Sequence, residues 1–385
     1  MLGSPDNGVP VLKTEDARKR RLVMPLFIAA LAGLLVLGLV WNRGNDSQIR
    51  GAGSTLAAPL IDRSAISYRN AFSADNPERP DQTGRDWVMD GNGFSYEPVG
   101  SLGGIMRLDD PEVDFAVSDY PLSLQTINDK KLGQFPIAAG SIALVHDLDL
   151  DGKALKLEAE TVANIYLGKI KTWNDPKIAA LNPGVTLPDQ EITPVHRSDG
   201  SGSTEGFTKW LVRTVPAWKD GPGSGPQITW PEGIGKAAER SGGAIDAVKK
   251  TKGALTYAEP GQAKSAGLQV AQVKNGANEF VAPDAAGMAA ALKGTDWAST
   301  DHFTKLAAKP DAKGAYPLTV PIYVALKREP QQKTDGRRSL AYLMYVMNKF
   351  DGSAAKLGYL PLPAEGASEV SKYISETFPH APSVN

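Results

Sequence analysis

The feature that most limits the fold of this chain is the alternation of short apolar runs with amphipathic stretches after residue 50. Short apolar runs have the length of buried strands, whereas apolar residues spaced three and four apart form one face of a helix. Alternation of the two is typical of α/β domains, in which helices cover the faces of the sheets. The runs that we interpret as strands are Val113–Val117, Ser141–His146, Ile192–His196, Ala254–Tyr257 and Ile322–Leu326.

Three other stretches have helical periodicity. Two of them are Glu160–Tyr166 and Ser339–Met347. In the remaining one, the apolar positions that share a face are Leu56, Leu60, Ile61, Ala65, Tyr68 and Phe72. By contrast, glycine and proline dominate Asp220–Pro226, which we interpret as a loop.

Four turns rich in glycine and hydroxyl residues lie where strands should give way to helices. They are Gly51–Leu56, Gly100–Gly104, Ser118–Ser123 and Arg197–Thr204, the last expected to enter a helix at Phe207. A helix N-terminus presents free N–H groups and a positive dipole end, which suit a tetrahedral oxyanion. Hydroxyls add donors, and glycine lets the backbone approach closely. Each turn alone is most simply a helix cap, but four of them together with Arg197 indicate an anion site.

An uncharged apolar run, Leu22–Trp41, is long enough to cross a bilayer as a helix. It follows a basic leader, residues 1–21, that should stay cytoplasmic, and it precedes a polar linker, residues 42–50. We predict a membrane anchor that leaves the rest of the chain outside the cytoplasm. The alternatives are a cleaved signal peptide, which has the same basic-then-apolar order, and a buried helix of a soluble protein.

Composition excludes several other classes of site. The chain has no cysteine, so zinc ribbons, disulfide frameworks and thiol nucleophiles are absent. No GxxxxGK[ST], GxSxG or HExxH motif occurs, and the four histidines lack metal-ligand spacing. Outside residues 1–50, 35 basic residues face 39 acidic ones, a net charge of about −4, which does not support nucleic-acid binding. We therefore expect no cofactor, no metal and no enzyme activity.

Several motifs together resemble the periplasmic phosphate-binding proteins of the phosphate-specific ABC transporter, the PstS type. The segments that carry the resemblance are Gly51–Thr55, Val113–Leu122, Ile165–Asp175, Leu181–Gly184, Val195–Thr204 and Gly253–Glu259. The resemblance implies an α/β, two-lobed periplasmic-binding-protein clamshell of type II with two hinge crossovers. It implies a first lobe formed by residues 51–138 and 318–385 and a second lobe formed by residues 139–317.

The resemblance also implies which residues bind phosphate. These are Thr55, the Leu56 amide, Ser101, Asp119, Arg197, Ser201, Gly202 and Ser203, with Asp199 pairing with Arg197 to orient it. Leu56 stands where the family has an aromatic residue and Ser203 where threonine is common. About ten extra residues lie between Phe72 and Phe94. None of these departures removes a donor from the predicted site.

Elementary chemistry supports the same ligand. The planar fork of Arg197 matches two phosphate oxygens, and hydroxyls and amides satisfy the others. A carboxylate such as Asp119 repels an anion unless the anion carries a proton to donate. Hydrogen phosphate carries one near neutral pH, whereas sulfate does not, so Asp119 is predicted to reject sulfate.

The resulting hypothesis is an extracytoplasmic, monomeric protein that captures inorganic phosphate and delivers it to the permease subunits of an ABC importer. One alternative is a binding protein of the same fold for another oxyanion, such as molybdate or a phosphonate. Another is a phosphate-sensing or adhesive surface protein. An enzyme such as a secreted phosphatase is a further class, but neither a metal cluster nor an activated nucleophile in the sequence supports it.

Overall fold

The computed structural model describes residues 49–72, 94–329, 333–349, 351–379 and 381. The predicted leader, the apolar run Leu22–Trp41 and nearly all of the linker lie outside the described residues. The same is true of most of the extra residues between Phe72 and Phe94. Within the described ranges, no helix combines the length and apolarity that crossing a bilayer requires.

Six strands form the larger sheet: β1 (Ile49–Gly53), β2 (Phe94–Glu97), β3 (Phe115–Ser118), β4 (Leu132–Ser141), β13 (Thr319–Lys327) and β14 (Leu360–Pro361). Their order is β14-β4-β13-β3-β1-β2. β1 pairs parallel with β2 and β3, whereas β13 pairs antiparallel with β3 and β4. Because β1 and β3 are parallel, the turns that follow them emerge at the same edge of the sheet.

A second sheet has five strands: β5 (Ala143–His146), β7 (Thr193–Arg197), β8 (Lys236–Ala238), β9 (Ala254–Ala258) and β10 (Gln269–Val270). Their order is β10-β5-β9-β7-β8. A small third sheet joins β6 (Lys156–Leu157), β11 (Gln272–Lys274) and β12 (Phe280–Val281). We call the described residues 49–141 and 319–381 the six-stranded lobe, and residues 143–281 the five-stranded lobe.

The chain passes between the lobes at two adjacent points. β4 and β13 pair along their whole lengths, from Leu132 opposite Lys327 to Ser141 opposite Thr319. Just beyond that end, the amide of Ile142 donates to the carbonyl of Leu318 at 3.0 Å. The two lobes are therefore joined by a double crossing of the chain at this end of the β4–β13 pair.

The lobe bounds drawn from the sequence stay a prediction. The segment from Ala285 to Pro317 contacts the six-stranded sheet, since Gln134 Nε2 donates to the carbonyl of His302 at 3.0 Å. The hydroxyl of Tyr323 likewise donates to the carbonyl of Leu306 at 3.1 Å.

Thirteen helices of the described residues cover the sheets. They are α1 (Ala58–Phe72), α2 (Ser101–Arg107), α3 (Leu124–Asp129), α4 (Ala159–Tyr166), α5 (Pro176–Leu181), α6 (Gly202–Thr214), α7 (Pro216–Lys219), α8 (Arg240–Lys250), α9 (Pro260–Ser265), α10 (Ala285–Leu292), α11 (Lys333–Lys349), α12 (Asp351–Lys356) and α13 (Ala364–Thr377). As the periodicity predicts, Leu60, Ile61, Ala65 and Tyr68 of α1 are buried.

Three local predictions need correction. The predicted strand Ser141–His146 is divided at Ile142, because Ser141 ends β4 in one lobe and Ala143 begins β5 in the other. Gly51–Gly53 belong to β1 rather than to a turn, since they pair with both β2 and β3. The helix after Arg197 begins at Gly202 instead of Phe207, because Ser201 caps it by accepting a hydrogen bond from the amide of Thr204.

Candidate functional site

Asp119 lies immediately after β3, at the edge of the six-stranded sheet that faces the other lobe. Asp119 is 4% exposed. Ser54, the residue after β1, donates its hydroxyl to Asp119 Oδ1. The amide of Asp119 donates to Ser101 Oγ at 3.2 Å. The helix that follows is capped by Ser123, so the carboxylate of Asp119 is not a helix cap.

Burial raises the pKa of Asp119 to about 6, from an ordinary value of 3.8. The hydrogen bond from Ser54, the charge of Arg197 and the hydrogen bond from Ser203 oppose this rise but do not cancel it. Ser203 Oγ is 3.4 Å from Asp119 Oδ2, which is a long contact. Among the described residues, the side chains that donate to the Asp119 carboxylate are therefore hydroxyls and not cations. With its raised pKa, this carboxylate readily accepts a proton.

Arg197 ends β7 in the five-stranded lobe and is 3% exposed. Its Nε donates to Asp199 Oδ1 at 2.7 Å, and its Nη2 donates to Asp199 Oδ2. Its backbone amide donates to the hydroxyl of Tyr257 at 3.1 Å. The ring of Tyr257 stacks on Phe207 of α6 with centroids 4.4 Å apart. The guanidinium is thus fixed by its carboxylate and by the packed core beneath it.

Asp199 has the opposite titration behaviour to Asp119. Burial alone would raise the pKa of Asp199, but the hydrogen bond and charge of Arg197 outweigh it. The amide of Arg240, which donates to Asp199 Oδ1 at 2.9 Å, adds to the lowering. The net result is a pKa below the ordinary range, so Asp199 stays ionised and neutralises part of the guanidinium charge.

The N-terminus of α6 supplies further donors. Ser201 Oγ accepts from the amide of Thr204 at 3.2 Å, so the hydrogen of this hydroxyl remains available to a ligand. Within the described part of the chain, the amides of Gly202 and Ser203 have no protein acceptor. In addition, α6 directs the positive end of its dipole toward this point.

Gly202 allows the two lobes to meet closely. A Cβ at this position would lie 2.7 Å from Asp119 Cβ and 2.8 Å from Asp119 Oδ2, which real Cβ atoms do not tolerate. The N-terminus of α6 therefore approaches the carboxylate only because residue 202 has no side chain.

The turn after β1 contributes Thr55 and Leu56, which are both buried. Among the described residues, nothing accepts a hydrogen bond from the amides of Thr55, Leu56 or Ser101. Buried amides are nearly always paired. A set of free buried amides from both lobes, next to Arg197, therefore indicates a place built for an anion.

The lobes are in contact around this set. Thr55 Oγ1 is 2.8 Å from Ser241 Oγ of the five-stranded lobe, and the carbonyl of Thr55 accepts from Gln262 Nε2 at 3.0 Å. The amide of Leu102 donates to the carbonyl of Gly200 at 3.2 Å. Gly100 adopts a φ of +84°, and a Cβ there would lie 2.5 Å from the carbonyl oxygen of Gly200. The structure is therefore that of a closed cleft.

A cavity of about 290 Å³ reaches Asp119 from one side of the cleft. Tyr120 lines it from the six-stranded lobe, and Glu205, Lys209 and Arg213 line it from α6. Lys209 pairs with Glu205 at 2.6 Å. Two cations and one carboxylate of α6 therefore line this cavity.

The structure brings together all nine residues that the resemblance assigned to the site. Eight of them are buried: Thr55, Leu56, Ser101, Asp119, Arg197, Ser201, Gly202 and Ser203. Asp199 lies at the side of Arg197 with its side chain 13% exposed. Their roles as ligands stay a prediction. Among the described residues, no group of three or more His, Asp or Glu side chains is placed to hold a metal ion.

Sequence reasoning missed three side chains of this cluster: Ser54, Ser241 and Tyr257. Ser54 lies inside the predicted turn Gly51–Leu56, so the sequence offered its hydroxyl as a candidate for the site. Ser241 begins a Ser-Gly-Gly stretch that resembles the other hydroxyl- and glycine-rich turns, yet it lies far from them in sequence. For Tyr257 the sequence gives no signal beyond its strand.

The chain is similar to a known protein family and to individual members of it. The model of the PBP superfamily domain matches residues 42–348. The chain is 31% identical over 332 residues to the phosphate-binding protein PstS of Xylella fastidiosa, covering 86% of each chain. It is 32% identical over 318 residues to PstS of Pasteurella multocida, covering 82% of this chain and 87% of that one.

Solved structures show the same fold. A high-affinity periplasmic phosphate-binding protein, PfluDING, solved with phosphate, is similar with a TM-score of 0.63 at 22% identity. The match covers 84% of this chain and 93% of that one. A phosphate-binding protein from Stenotrophomonas maltophilia is similar with a TM-score of 0.61 at 19% identity, covering 85% and 93%.

Proposed function

This chain belongs to the PBP superfamily and, within it, to the PstS-type phosphate-binding proteins, and we propose on that basis that it captures inorganic phosphate outside the cytoplasmic membrane. Its bound phosphate is delivered to the permease subunits of an ABC importer. The relatives are named as binding proteins, and the chemistry proposed here is reversible binding without catalysis.

The observation that carries the proposal is a buried carboxylate inside a set of anion donors. Arg197 and the free amides of Leu56, Ser101 and Gly202 suit any tetrahedral oxyanion. Asp119 adds a requirement, because its buried charge repels an anion that has no proton to share. Hydrogen phosphate meets both conditions, since it offers acceptor oxygens to the donors and one O–H to Asp119.

Two of the predicted ligand hydroxyls accept hydrogen bonds from backbone amides, and a third is paired with a serine hydroxyl. Ser101 Oγ already accepts from the amide of Asp119, and Ser201 Oγ accepts from the amide of Thr204. Thr55 Oγ1 is paired with Ser241. When the protein occupies the acceptor side of a hydroxyl, its hydrogen is left for the ligand. Preset donors of this kind lose little entropy when the anion binds.

We also propose how the molecule works as a whole. It is a type II clamshell in which the paired crossings at Ile142 and Leu318 serve as the hinge, and the closed cleft excludes water from the anion. The receptor acts as a monomer. Its predicted anchor, Leu22–Trp41, holds it at the membrane near its permease, which raises the local concentration of receptor.

Isothermal titration of the full chain with phosphate, arsenate and sulfate tests the proposed ligand. We expect phosphate and arsenate to bind, because both carry a proton near neutral pH, and sulfate to give no heat at the same pH and salt concentration. Binding of sulfate or molybdate in preference to phosphate contradicts the assignment.

Membrane fractionation of the full chain and of a variant without residues 1–48 tests the anchor. We expect the full chain in the membrane fraction and the shortened chain in the soluble one. A mature N-terminus near residue 45 in cells would instead identify residues 22–41 as a cleaved signal.

A further inference from the structure

Ser241 is a buried hydroxyl that touches predicted phosphate ligands on both lobes. It is the second residue of α8 and is 1% exposed. Its Oγ is 2.8 Å from Thr55 Oγ1 in the six-stranded lobe. The same Oγ accepts from Arg197 Nη1 at 3.3 Å in the five-stranded lobe.

The chemistry of the three groups sets the direction of this chain of hydrogen bonds. A guanidinium only donates, so Ser241 Oγ is the acceptor for Arg197. The hydrogen of Ser241 then has one acceptor among its described neighbours, Thr55 Oγ1. Thr55 is the predicted ligand of the two, so with an anion bound its hydrogen has an acceptor, whereas donation from Thr55 to Ser241 would leave the buried hydrogen of Ser241 unpaired, which is costly. The chain therefore runs from Arg197 through Ser241 to Thr55, and the hydrogen of Thr55 is left over.

The same contacts leave Arg197 with a defined pair of free donors. A guanidinium has five N–H groups. Asp199 takes one from Nε and one from Nη2, and Ser241 takes one from Nη1. One N–H remains on each terminal nitrogen, the number that a bidentate contact with an oxyanion uses.

The backbone around Ser241 is held in an unfavourable conformation. Arg240, the residue before it, has a φ of +62°. Residues other than glycine rarely adopt this backbone conformation. The amide of Arg240 donates to Asp199 Oδ1 at 2.9 Å. The carboxylate that pairs with Arg197 therefore also fixes the turn that presents Ser241. Strain of this kind persists where the surroundings over-determine it, and it concentrates at functional sites.

We propose that Ser241 is a positioning residue for phosphate binding, which orients the Thr55 hydroxyl as a donor to the anion and holds the free edge of Arg197 toward it. The proposal rests on the proposed function. We call the hydrogen bonds from Arg197 through Ser241 to Thr55 the relay. Because Ser241 and Thr55 come from different lobes, the relay is complete only in the closed cleft. Ser241 thus links closure of the lobes to the final orientation of two ligand groups.

A double-mutant cycle in the full chain tests the relay. We expect Ser241→Ala to weaken phosphate binding roughly tenfold, since it removes a buried hydrogen-bonded hydroxyl. In a Thr55→Val background, the same substitution is expected to cost only about threefold, because the hydroxyl that Ser241 orients is already gone. Isothermal titration of the four proteins at one pH gives both values.

Ser64→Ala is the matched control. Ser64 is also a fully buried serine hydroxyl, but it bonds to Tyr342 away from the site. This variant should melt at a lower temperature and bind phosphate like the wild type. If Ser241→Ala binds like the wild type, or if its loss is the same in both backgrounds, the relay is refuted. Failure of the wild type to bind phosphate would instead refute the proposed function.

Discussion

Asp119 follows β3 in the six-stranded lobe and its carboxylate accepts hydrogen bonds from hydroxyls, whereas Asp199 lies two residues beyond β7 in the five-stranded lobe and pairs with a guanidinium. Both carboxylates belong to one site, yet their pKa values move in opposite directions. Burial raises that of Asp119 to about 6. The contacts of Asp199 with Arg197 and Arg240 overcome burial and lower its pKa.

This difference separates two tasks that a phosphate receptor needs. The lowered pKa keeps Asp199 ionised near neutral pH, and we propose that it acts on the ligand indirectly by orienting Arg197, which favours any oxyanion. Among the described residues, Asp119 has no ion-pair partner of its own, and we propose that a ligand is accepted beside it only when the ligand brings a proton. In this proposal Arg197 of the five-stranded lobe is the main source of attraction, amides of both lobes add to it, and Asp119 of the six-stranded lobe provides discrimination.

The largest effect is expected from removing the attraction. Arg197→Ala deletes two charge-assisted hydrogen bonds to phosphate and leaves the partly buried carboxylate of Asp199 without its ion-pair partner. We expect binding to weaken by about 3 kcal/mol or more, a factor of roughly 150 in Kd. Titration calorimetry measures this loss directly. If Arg197→Ala binds phosphate like the wild type, the attraction does not come from this residue and the site is wrongly assigned.

Asp119→Asn tests the discrimination and should affect phosphate less than Arg197→Ala does. The amide keeps the shape, removes the charge and supplies a donor. We expect phosphate binding to fall by about 1–2 kcal/mol and sulfate binding to become measurable. The matched substitution Asp199→Asn should weaken phosphate without admitting sulfate. If Asp119→Asn still excludes sulfate as firmly as the wild type, selectivity comes from the shape of the cleft or from another acceptor.

Sequence patterns predicted the architecture well because it rests on local periodicity. The apolar runs at Val113 and Ala254 became strands, and the periodic stretch before Phe72 became a helix. Helix and strand ends were less predictable. The helix after Arg197 starts earlier than expected because the hydroxyl of Ser201 accepts a hydrogen bond from the amide of Thr204. Neighbouring serines could also cap a helix, so the sequence alone does not identify the one that does.

The candidate site was predictable only where its residues lie in recognisable turns. Arg197, Asp199 and Ser203 share one turn, so a single motif locates them. Ser241 reaches the same place through the packing of α8 beside β7, and its partner Thr55 lies in the other lobe. Contacts between residues so distant in sequence arise from tertiary packing, which no local pattern encodes.

Lowering the pH should protonate Asp119 and so remove its discrimination against sulfate. Asp119 has a raised pKa in the folded protein, so its ionisation costs stability. In the ligand-free protein, the raised pKa of Asp119 adds to the free energy of unfolding. This contribution is complete below pH 3.8 and is lost as the pH rises through about 6. Protonated Asp119 donates instead of repelling. We expect wild-type sulfate binding to appear as the pH falls below about 6, and titrations at several pH values measure it.

Asp119→Asn is the control for this pH dependence, because it cannot titrate at that position. Its sulfate affinity should stay nearly constant over the range in which that of the wild type rises. A wild-type protein that excludes sulfate equally at pH 5 and pH 8 would contradict the role of the Asp119 charge.

Two hydroxyls contact the carboxylate of Asp119, those of Ser203 and Ser54, and the smallest effect on phosphate binding is expected from Ser54→Ala. Ser203 is a predicted ligand at the N-terminus of α6, so Ser203→Ala should weaken phosphate binding by about 1–2 kcal/mol near pH 8. Ser54 spends its hydrogen on Asp119 and accepts from the amide of Ala57 at 3.0 Å. Since the hydrogen bond from Ser54 lowers the pKa of Asp119, Ser54→Ala should raise that pKa further. We expect phosphate affinity near pH 8 to change by less than about 1 kcal/mol, while the pH at which sulfate binding appears moves upward. Titrations of both variants across pH distinguish these outcomes, and an unchanged sulfate profile in Ser54→Ala would show that this serine does not set the charge of Asp119.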